Sequence, residues 1–394
     1  MFSDITILGG GASGLTTAIN LAQKGYKTTI LELKPRIGQK ILVTGNGRCN
    51  LTNLNIKREN YHSNNLDAVQ NIISHYDSTN VLDFFKSIGL FTRNKDNLVY
   101  PLSNKASSVV DLLRATLAKL NVTIITDFDI KDVTRQADGY NITSVNGEII
   151  QSLRVIIATG LKAYDGTDIG LKILRSFGHN IIKPYPALVQ LKSDDAFLKG
   201  LKGVKFIGEI KVRQGDNILR SERGEILITE YGLSGIAVMQ LSYLFSLYDD
   251  CVLELDFLPD MSIEEVEKNL EYLEKFYKDS LSLAEYLTGL VDKKLGMRIA
   301  KHSNTANPKR LAKNLKSMPI NITGHNGFKN AQVCGGGASF NNFNTDTLES
   351  RHAKGLYAIG EILDVIGDCG GYNLHWAFAS ALCVSDAFER ITHG

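Results

Sequence analysis

A glycine-rich turn between a strand and a helix, and a second strand ending in an acid, predict an α/β chain built on a Rossmann-like parallel sheet. A run of short strands joined by Asp-Gly and Asn-Gly turns adds a β-meander crossover. Two later changes of pattern, first β-rich and then helical, predict that this domain is interrupted by a β-barrel-like domain and a small helical domain.

Ile5, Ile7 and Leu8 read as a short buried strand, and Leu15 to Lys24 as a helix with Leu15, Ile19 and Ala22 on one face. Gly25 ends that helix, and Thr28 to Leu33 is the next strand. Between them, Gly9-Gly10-Gly11-Ala12-Ser13-Gly14 fits GxGxxG. The first glycine allows the tight turn, Gly11 lets backbone approach a pyrophosphate, and Gly14 lets helix meet strand. The free N–H groups and positive dipole end of the helix then face the phosphates. Glu32 closes the second strand, where its carboxylate can accept both ribose hydroxyls of an adenosine. A glycine cluster alone is often a mere turn; the strand–turn–helix–strand–acid context makes it a dinucleotide site.

Further on, Ser108 to Leu120 reads as a helix opened by Ser108 and Asp111, with Val110, Leu113, Leu117 and Leu120 facing inward. The meander runs from Phe128 to Ile150 through Asp138-Gly139 and Asn146-Gly147, and feeds the apolar run Val155-Ile156-Ile157-Ala158-Thr159-Gly160. A meander in place of a crossover helix is typical of flavin-binding Rossmann variants. Near the C-terminus, Gly355 to Gly360 is a strand ending in Glu361, an acid placed for a hydroxylated chain such as ribityl. Together these favour FAD over NAD. Gly370-Gly371-Tyr372-Asn373-Leu374 opens a last helix whose N-terminus can face the flavin pyrimidine edge.

After Pro186 the segment Cys251 to Phe257 alternates, with Cys251, Leu253, Leu255 and Phe257 on one face. Ser262 and Glu265 form a capping box for a helix carrying Val266, Leu270, Leu273 and Tyr277, and Asn307-Pro308 starts another. The expected boundaries are 1–187 with 331–394 for the FAD domain, 188–257 with 320–330 for the β-barrel-like domain, and 258–319 for the helical insert.

Composition narrows the function. Of 394 residues, 43% are apolar and 22% charged, an ordinary globular balance for two or three domains. A net charge of +2 offers no basic field, so a nucleic-acid partner is not expected. Five scattered cysteines with no CxxC pair argue against a disulfide framework, a zinc site or a dithiol centre. No membrane span and no leader pattern are evident, so a cytoplasmic protein with a small-molecule substrate is the expectation. The sequence sets no oligomeric state.

Lys40-Ile41-Leu42-Val43-Thr44-Gly45-Asn46-Gly47-Arg48-Cys49-Asn50-Leu51-Thr52-Asn53 resembles the signature of the BaiN-like, aminoacetone-oxidase-like bacterial flavoproteins. Tyr100 to Ser108, Glu230 to Gly235 and Gly355 to Phe378 match as well, so the resemblance spans the chain. It implies an FAD domain with the two inserts described above, and an amine oxidase or an NAD(P)H-linked ene-type reductase. It also implies that Lys40, Gly45, Arg48, Cys49 and Asn50 line the flavin. The chain departs from the family at Leu161-Lys162-Ala163-Tyr164-Asp165, at Val333-Cys334 and at His375.

The expected cofactor set is therefore Gly9, Gly11, Ala12, Ser13, Gly14, Glu32, Leu33, Lys40, Gly45, Arg48, Cys49, Asn50, Ile130, Ala158, Thr159, Gly160, Gly360, Glu361, Gly371, Asn373 and Leu374. Candidates for catalysis are Arg48, as a permanent charge beside the flavin or an anionic substrate, and His375, as an acid. Arg48 can equally be a loop-ordering residue, and His375 a packing residue. Cys49 and Cys334 read first as packed thiols. No metal site is expected. The leading function is an FAD-dependent oxidoreductase on a small organic substrate, with NAD(P)H docking transiently if at all. The alternative is a flavin-binding sensor or RNA-modification accessory with little turnover.

Overall fold

The structure, a computed structural model, describes residues 1–163, 165–277 and 280–392. Its internal packing divides the chain into Met1–Tyr185 with Val333–Gly394, and Pro186–Gln332.

In the first unit, β1 (Phe2–Leu8), α1 (Ala12–Gln23) and β2 (Thr28–Leu31) follow one another directly. Then come α2 (Ala106–Lys119), β3 (Thr123–Ile125), and the meander β4 (Ile130–Gln136), β5 (Gly139–Ser144) and β6 (Ile149–Ile157). The chain returns late with β7 (Leu356–Ala358) and the long helix α3 (Tyr372–Thr392). Strands β3, β2, β1 and β6 lie side by side and parallel. Their central residues, Ile5, Ile7, Ile30 and Val155 to Ile157, are fully buried, which explains why they read as unbroken apolar runs rather than alternation.

One edge of β6 serves two partners. Ile149–Ser152 pairs antiparallel with β5, and Val155–Ile157 pairs parallel with β7. The meander can therefore end and the C-terminal strand can join without a further strand. Its first turn needs Gly139, at φ +124°, because a Cβ there would sit 2.3 Å from the Ser152 carbonyl oxygen.

Local boundaries moved where side chains compete with the ladder. β2 stops at Leu31 rather than Leu33, because the Glu32 carboxylate takes the Lys34 N–H at 2.9 Å. α2 starts at Ala106, two residues before the expected Ser108 cap and without any side-chain cap. A turn closed by Asn104 N–H donating to the Pro101 carbonyl, with Ala106 buried behind it, sets that start.

The second unit holds a seven-stranded antiparallel sheet. Its path runs Met318–Ile320, Cys251–Asp256, Lys205–Gln214, Asn217–Ile228, Gly232–Ser234, Leu191–Lys192 and Gly324–His325. Leu253 and Leu255 are buried and Val252 is exposed, as the alternation requires, while Cys251 at the strand's start is only partly covered. Asp256 is buried because Lys316 Nζ meets its carboxylate at 2.6 Å. The unit's longest helices are Ile263–Tyr277, Lys293–Ser303 and Pro308–Lys316. Ser262 and Glu265 make the reciprocal capping box, and the Asn307 side chain accepts from Arg310 N–H at 3.2 Å. No helix of the described residues is long and apolar enough to cross a membrane.

Packing in the β1–α1 turn is tight at Gly14, where a Cβ would stand 2.0 Å from the Gly9 carbonyl oxygen. Gly14→Ala is therefore expected to cost about 1–3 kcal/mol of stability, read as a lower urea midpoint at unchanged slope.

Candidate functional site

The β1–α1 turn is a cradle shaped by what cannot fit in it. Gly9, at φ +112°, leaves no room for a side chain, since a Cβ would lie 2.5 Å from the Ala158 carbonyl oxygen. Gly14 is closed in the same way, so strand, turn and helix are held in contact. At Gly11 the opposite holds: a Cβ would meet nothing within 4 Å. Gly11 is also the N-cap of α1 and offers no side-chain cap to the first turn of amides. Open space before uncapped N–H groups is the room and the polarity that a pyrophosphate needs.

Glu32 is already held in place for its part. Its two carboxylate oxygens accept from Gly10 N–H at 2.7 Å and Lys34 N–H at 2.9 Å. The chain leading into β4 passes alongside, with Phe128 N–H donating to the Glu32 carbonyl at 3.0 Å. Leu33 is exposed and Ile130 buried.

Beyond the parallel strand ends, Glu361 collects a second group. Its Oε2 lies 2.8 Å from Lys40 Nζ, and its Oε1 accepts from Cys334 N–H at 3.0 Å. Gly160, at φ +63°, turns the chain just beside it; a Cβ there would be 3.1 Å from Oε2. Gly360 comes within close range of Ser13 on α1. Gly360 is itself pinned from α3: Trp376 Nε1 donates to its carbonyl at 3.0 Å, and its N–H donates to Ser380 Oγ at 3.0 Å. Gly11, Ser13, Thr159-Gly160 and Gly360-Glu361 are thus gathered at the same end of the sheet.

The segment Thr44 to Asn53 wraps the start of α3. Gly45, Asn46, Gly47 and Cys49 all have positive φ, a concentration that only a tightly folded loop requires. Asn50 Oδ1 accepts from Val99 N–H at 3.1 Å and Asn53 Nδ2 donates to the Gly370 carbonyl at 3.0 Å, which ties the loop to the glycine pair before α3. Asn373 is consumed in shaping that turn, accepting from Gly367 N–H at 2.8 Å and donating back to its carbonyl at 2.6 Å.

Two of the candidate groups are chemically quiet. Burial pushes the Cys49 thiol up to about 12 against a lowering hydrogen bond with Thr44, and burial with Glu361 pushes Cys334 up to about 12. Both stay protonated, so neither is a ready nucleophile. His375 is fully buried, with Nδ1 2.8 Å from Thr52 Oγ1. Burial brings its imidazole down to about 4, with Asp77 and the Tyr76 backbone pulling the other way, so it is neutral at pH 7. Its ring, in the first turn of α3, packs against the Thr52 strand. Arg48 is exposed and stands over the Tyr100 ring, 5.1 Å from its centroid. Tyr164 lies outside the described residues.

One pair was not foreseen. His62 Nε2 lies 3.1 Å from Asp368 Oδ1, and Asp368 belongs to the loop that leads to Gly370-Gly371. The two-residue strand Tyr61–His62 that carries it is too short to leave a periodic signal in sequence. Among the described residues no group of three or more His, Cys, Asp or Glu side chains could hold a metal ion.

Residues 3–387 match the model of a protein family described as HI0933-like protein Rossmann domain. The chain belongs to this family. It is a Rossmann-like flavoprotein of the oxidoreductase class, and FAD is the dinucleotide that its cradle and paired acids fit. A relative from Clostridium scindens, named 3-dehydro-bile acid delta(4,6)-reductase, is 38% identical over 95% of this chain and 96% of its own. A Haemophilus influenzae protein named ribosomal RNA dihydrouridine synthase is 29% identical over 99% of both. Among solved structures, 3-ketosteroid delta1-dehydrogenase from Sterolibacterium denitrificans shares the fold. It has a TM-score of 0.53 at 10% identity, covering 99% of this chain and 100% of that one.

Two measurements probe this geometry. Glu32→Ala removes a charged acceptor, so FAD should be held at least about tenfold more weakly, read by flavin fluorescence on titration into apoprotein. An unchanged affinity would remove Glu32 from the site. For His375 the folded value lies below the ordinary 6.5. The unfolded chain therefore binds the extra proton, and stability falls as pH drops from about 6.5 towards 4. His375→Asn should flatten that part of the urea-midpoint profile, whatever its effect at pH 7.5.

Proposed function

We propose that the chain is an FAD-dependent reductase that saturates a carbon–carbon double bond conjugated to a carbonyl in a small ring substrate, with NAD(P)H as transient electron donor. The observation that carries this reading is a shared reaction type. The names of two relatives that align with nearly the whole chain both describe saturation of a ring double bond, in a 3-dehydro-bile acid and in uridine. In each, that bond is conjugated to a carbonyl.

The chain's own residues divide the work. The first-turn amides of α1 hold the pyrophosphate, and Glu32 accepts from the adenosine ribose. Glu361, steadied by Cys334 N–H and by Lys40 Nζ, accepts from the ribityl hydroxyls. The N-terminus of α3, behind Gly370-Gly371, would face the pyrimidine edge with its positive end and favour negative charge there. Bound FAD supplies the hydride carrier. Only one GxGxxG in Rossmann context occurs in this sequence, so a nicotinamide would dock transiently over the flavin.

A small molecule is favoured over RNA on two grounds. The bile-acid reductase is the more similar of the two relatives, and a net charge of +2 gives little pull on a polyanion.

The test is the anaerobic visible spectrum of purified protein. The flavin bands should be present, bleach with NADPH or NADH, and return on adding a 3-oxo-Δ4 steroid acid. A flavin reduced by amines and not by nicotinamide would make the chain an oxidase. Recovery with a uridine-containing RNA and not with the steroid would move the substrate to nucleic acid.

A further inference from the structure

The three-stranded sheet of Thr52–Asn53, Leu98–Pro101 and Thr92–Lys95 has two unlike faces. Its register sets Thr92 opposite Pro101, Arg93 opposite Tyr100, Asn94 opposite Val99 and Lys95 opposite Leu98. Leu102 N–H donating to the Phe91 carbonyl at 2.8 Å extends the ladder by one pair. Directly opposed residues share a face, and faces alternate along each strand. Val99, Pro101 and Thr52 are buried, and Thr52 reaches His375 of α3, so that face is the packed one.

The other face carries Phe91, Arg93, Tyr100 and Leu102. Phe91 is 63% exposed and Leu102 61%, both large for apolar side chains in a folded domain. Arg48, from the loop that wraps the start of α3, lays its guanidinium on the same Tyr100 ring. Tyr100 is thus flanked by one arginine stacked on it and one directly across the strand pair. Neither Arg48 nor Arg93 makes an ion pair among the described residues.

Two permanent charges around an ordered ring, bordered by exposed apolar side chains, match one kind of ligand: an apolar body with an acidic group. A planar guanidinium pairs a carboxylate through two N–H donors, and a stacked one has already given up part of its freedom. We infer that this face binds the acidic group of the substrate. The carboxylate sits between Arg48 and Arg93, and the apolar body lies along Phe91 and Leu102. The inference rests on the reductase reading for the identity of the ring, while the anion preference belongs to this face alone.

Equilibrium dialysis of the FAD-loaded protein against 3-oxo-4-cholenoic acid and its uncharged methyl ester tests it. The acid should bind at least about tenfold more tightly than the ester, a difference in keeping with one charged hydrogen-bonded pair. Arg93→Met should remove most of that preference while FAD content and the melting temperature stay as in the parent, and Arg93→Lys should restore part of it. Equal binding of acid and ester, binding of neither, or an Arg93→Met protein that keeps the full preference would overturn the inference. So would a uridine-rich oligoribonucleotide that displaces the acid and weakens steeply with salt, since the face would then read phosphates. If the chain fails to take up FAD, the reductase reading falls, but dialysis of the same chain without FAD still reads the anion preference.

Discussion

The constraint on which the first unit depends is the contact of backbone with backbone at the carboxyl ends of its parallel strands. Gly9 meets the Ala158 backbone and Gly14 the Gly9 backbone at separations that exclude a side chain, and Gly360 comes close to the Ser13 side chain. Three stretches far apart in sequence are thereby drawn to one point. Each contact fixes the direction in which an amide or a carboxylate faces. The apolar sheet behind them is stable on other grounds, but only this close approach turns it into a cradle. The cost is conformational freedom at glycine, and it is offset by burial of the strands that the glycines join.

That arrangement depends in turn on how the chain comes back. β7 has room beside β6 only because the meander uses the other half of the same edge. α3 then crosses behind the turn and fixes Gly360 through Trp376 and Ser380, so the acid that follows is located by a helix rather than by a loop. α1 and α3 are tied at their far ends too, by Lys24 with Asp386 at 2.9 Å and by the edge contact of Tyr26 with Phe388. Helix packing at one end and hydrogen bonds at the other leave Glu361 little freedom to drift.

Much of this was legible in sequence, for a physical reason. Glycines that must sit where no Cβ fits leave a fixed spacing, as at Gly9, Gly11 and Gly14, and buried parallel strands leave unbroken apolar runs, as at Val155 to Ile157. Asp138-Gly139 and Asn146-Gly147 marked the meander because positive φ restricts the residue type. What stayed hidden has no local signature. The pairing of His62 with Asp368 joins residues some three hundred positions apart through a two-residue strand. The burial of His375 depends on Thr52, which no periodicity connects to it. The α2 boundary failed for a related reason: Ser108 looks like a cap, but a turn at Pro101 to Asn104 and the burial of Ala106 started the helix earlier. Tertiary packing overrode the local preference.

The two acids at the strand ends complete the argument, because they are held in different ways. Glu32 is bound by two backbone amides, Gly10 and Lys34, which are fixed by the turn itself. Glu361 has one fixed partner, Cys334 N–H, and one flexible partner, Lys40 Nζ. A carboxylate on backbone amides is pre-organised and gives up almost no freedom when a ribose arrives. A carboxylate on a lysine can exchange that partner for a hydroxyl, and the ammonium then stays nearby as a counter-charge. In the function proposed above, the first arrangement would suit the adenosine end of the dinucleotide. The second would suit the ribityl end, where a movable cation could follow a change of charge.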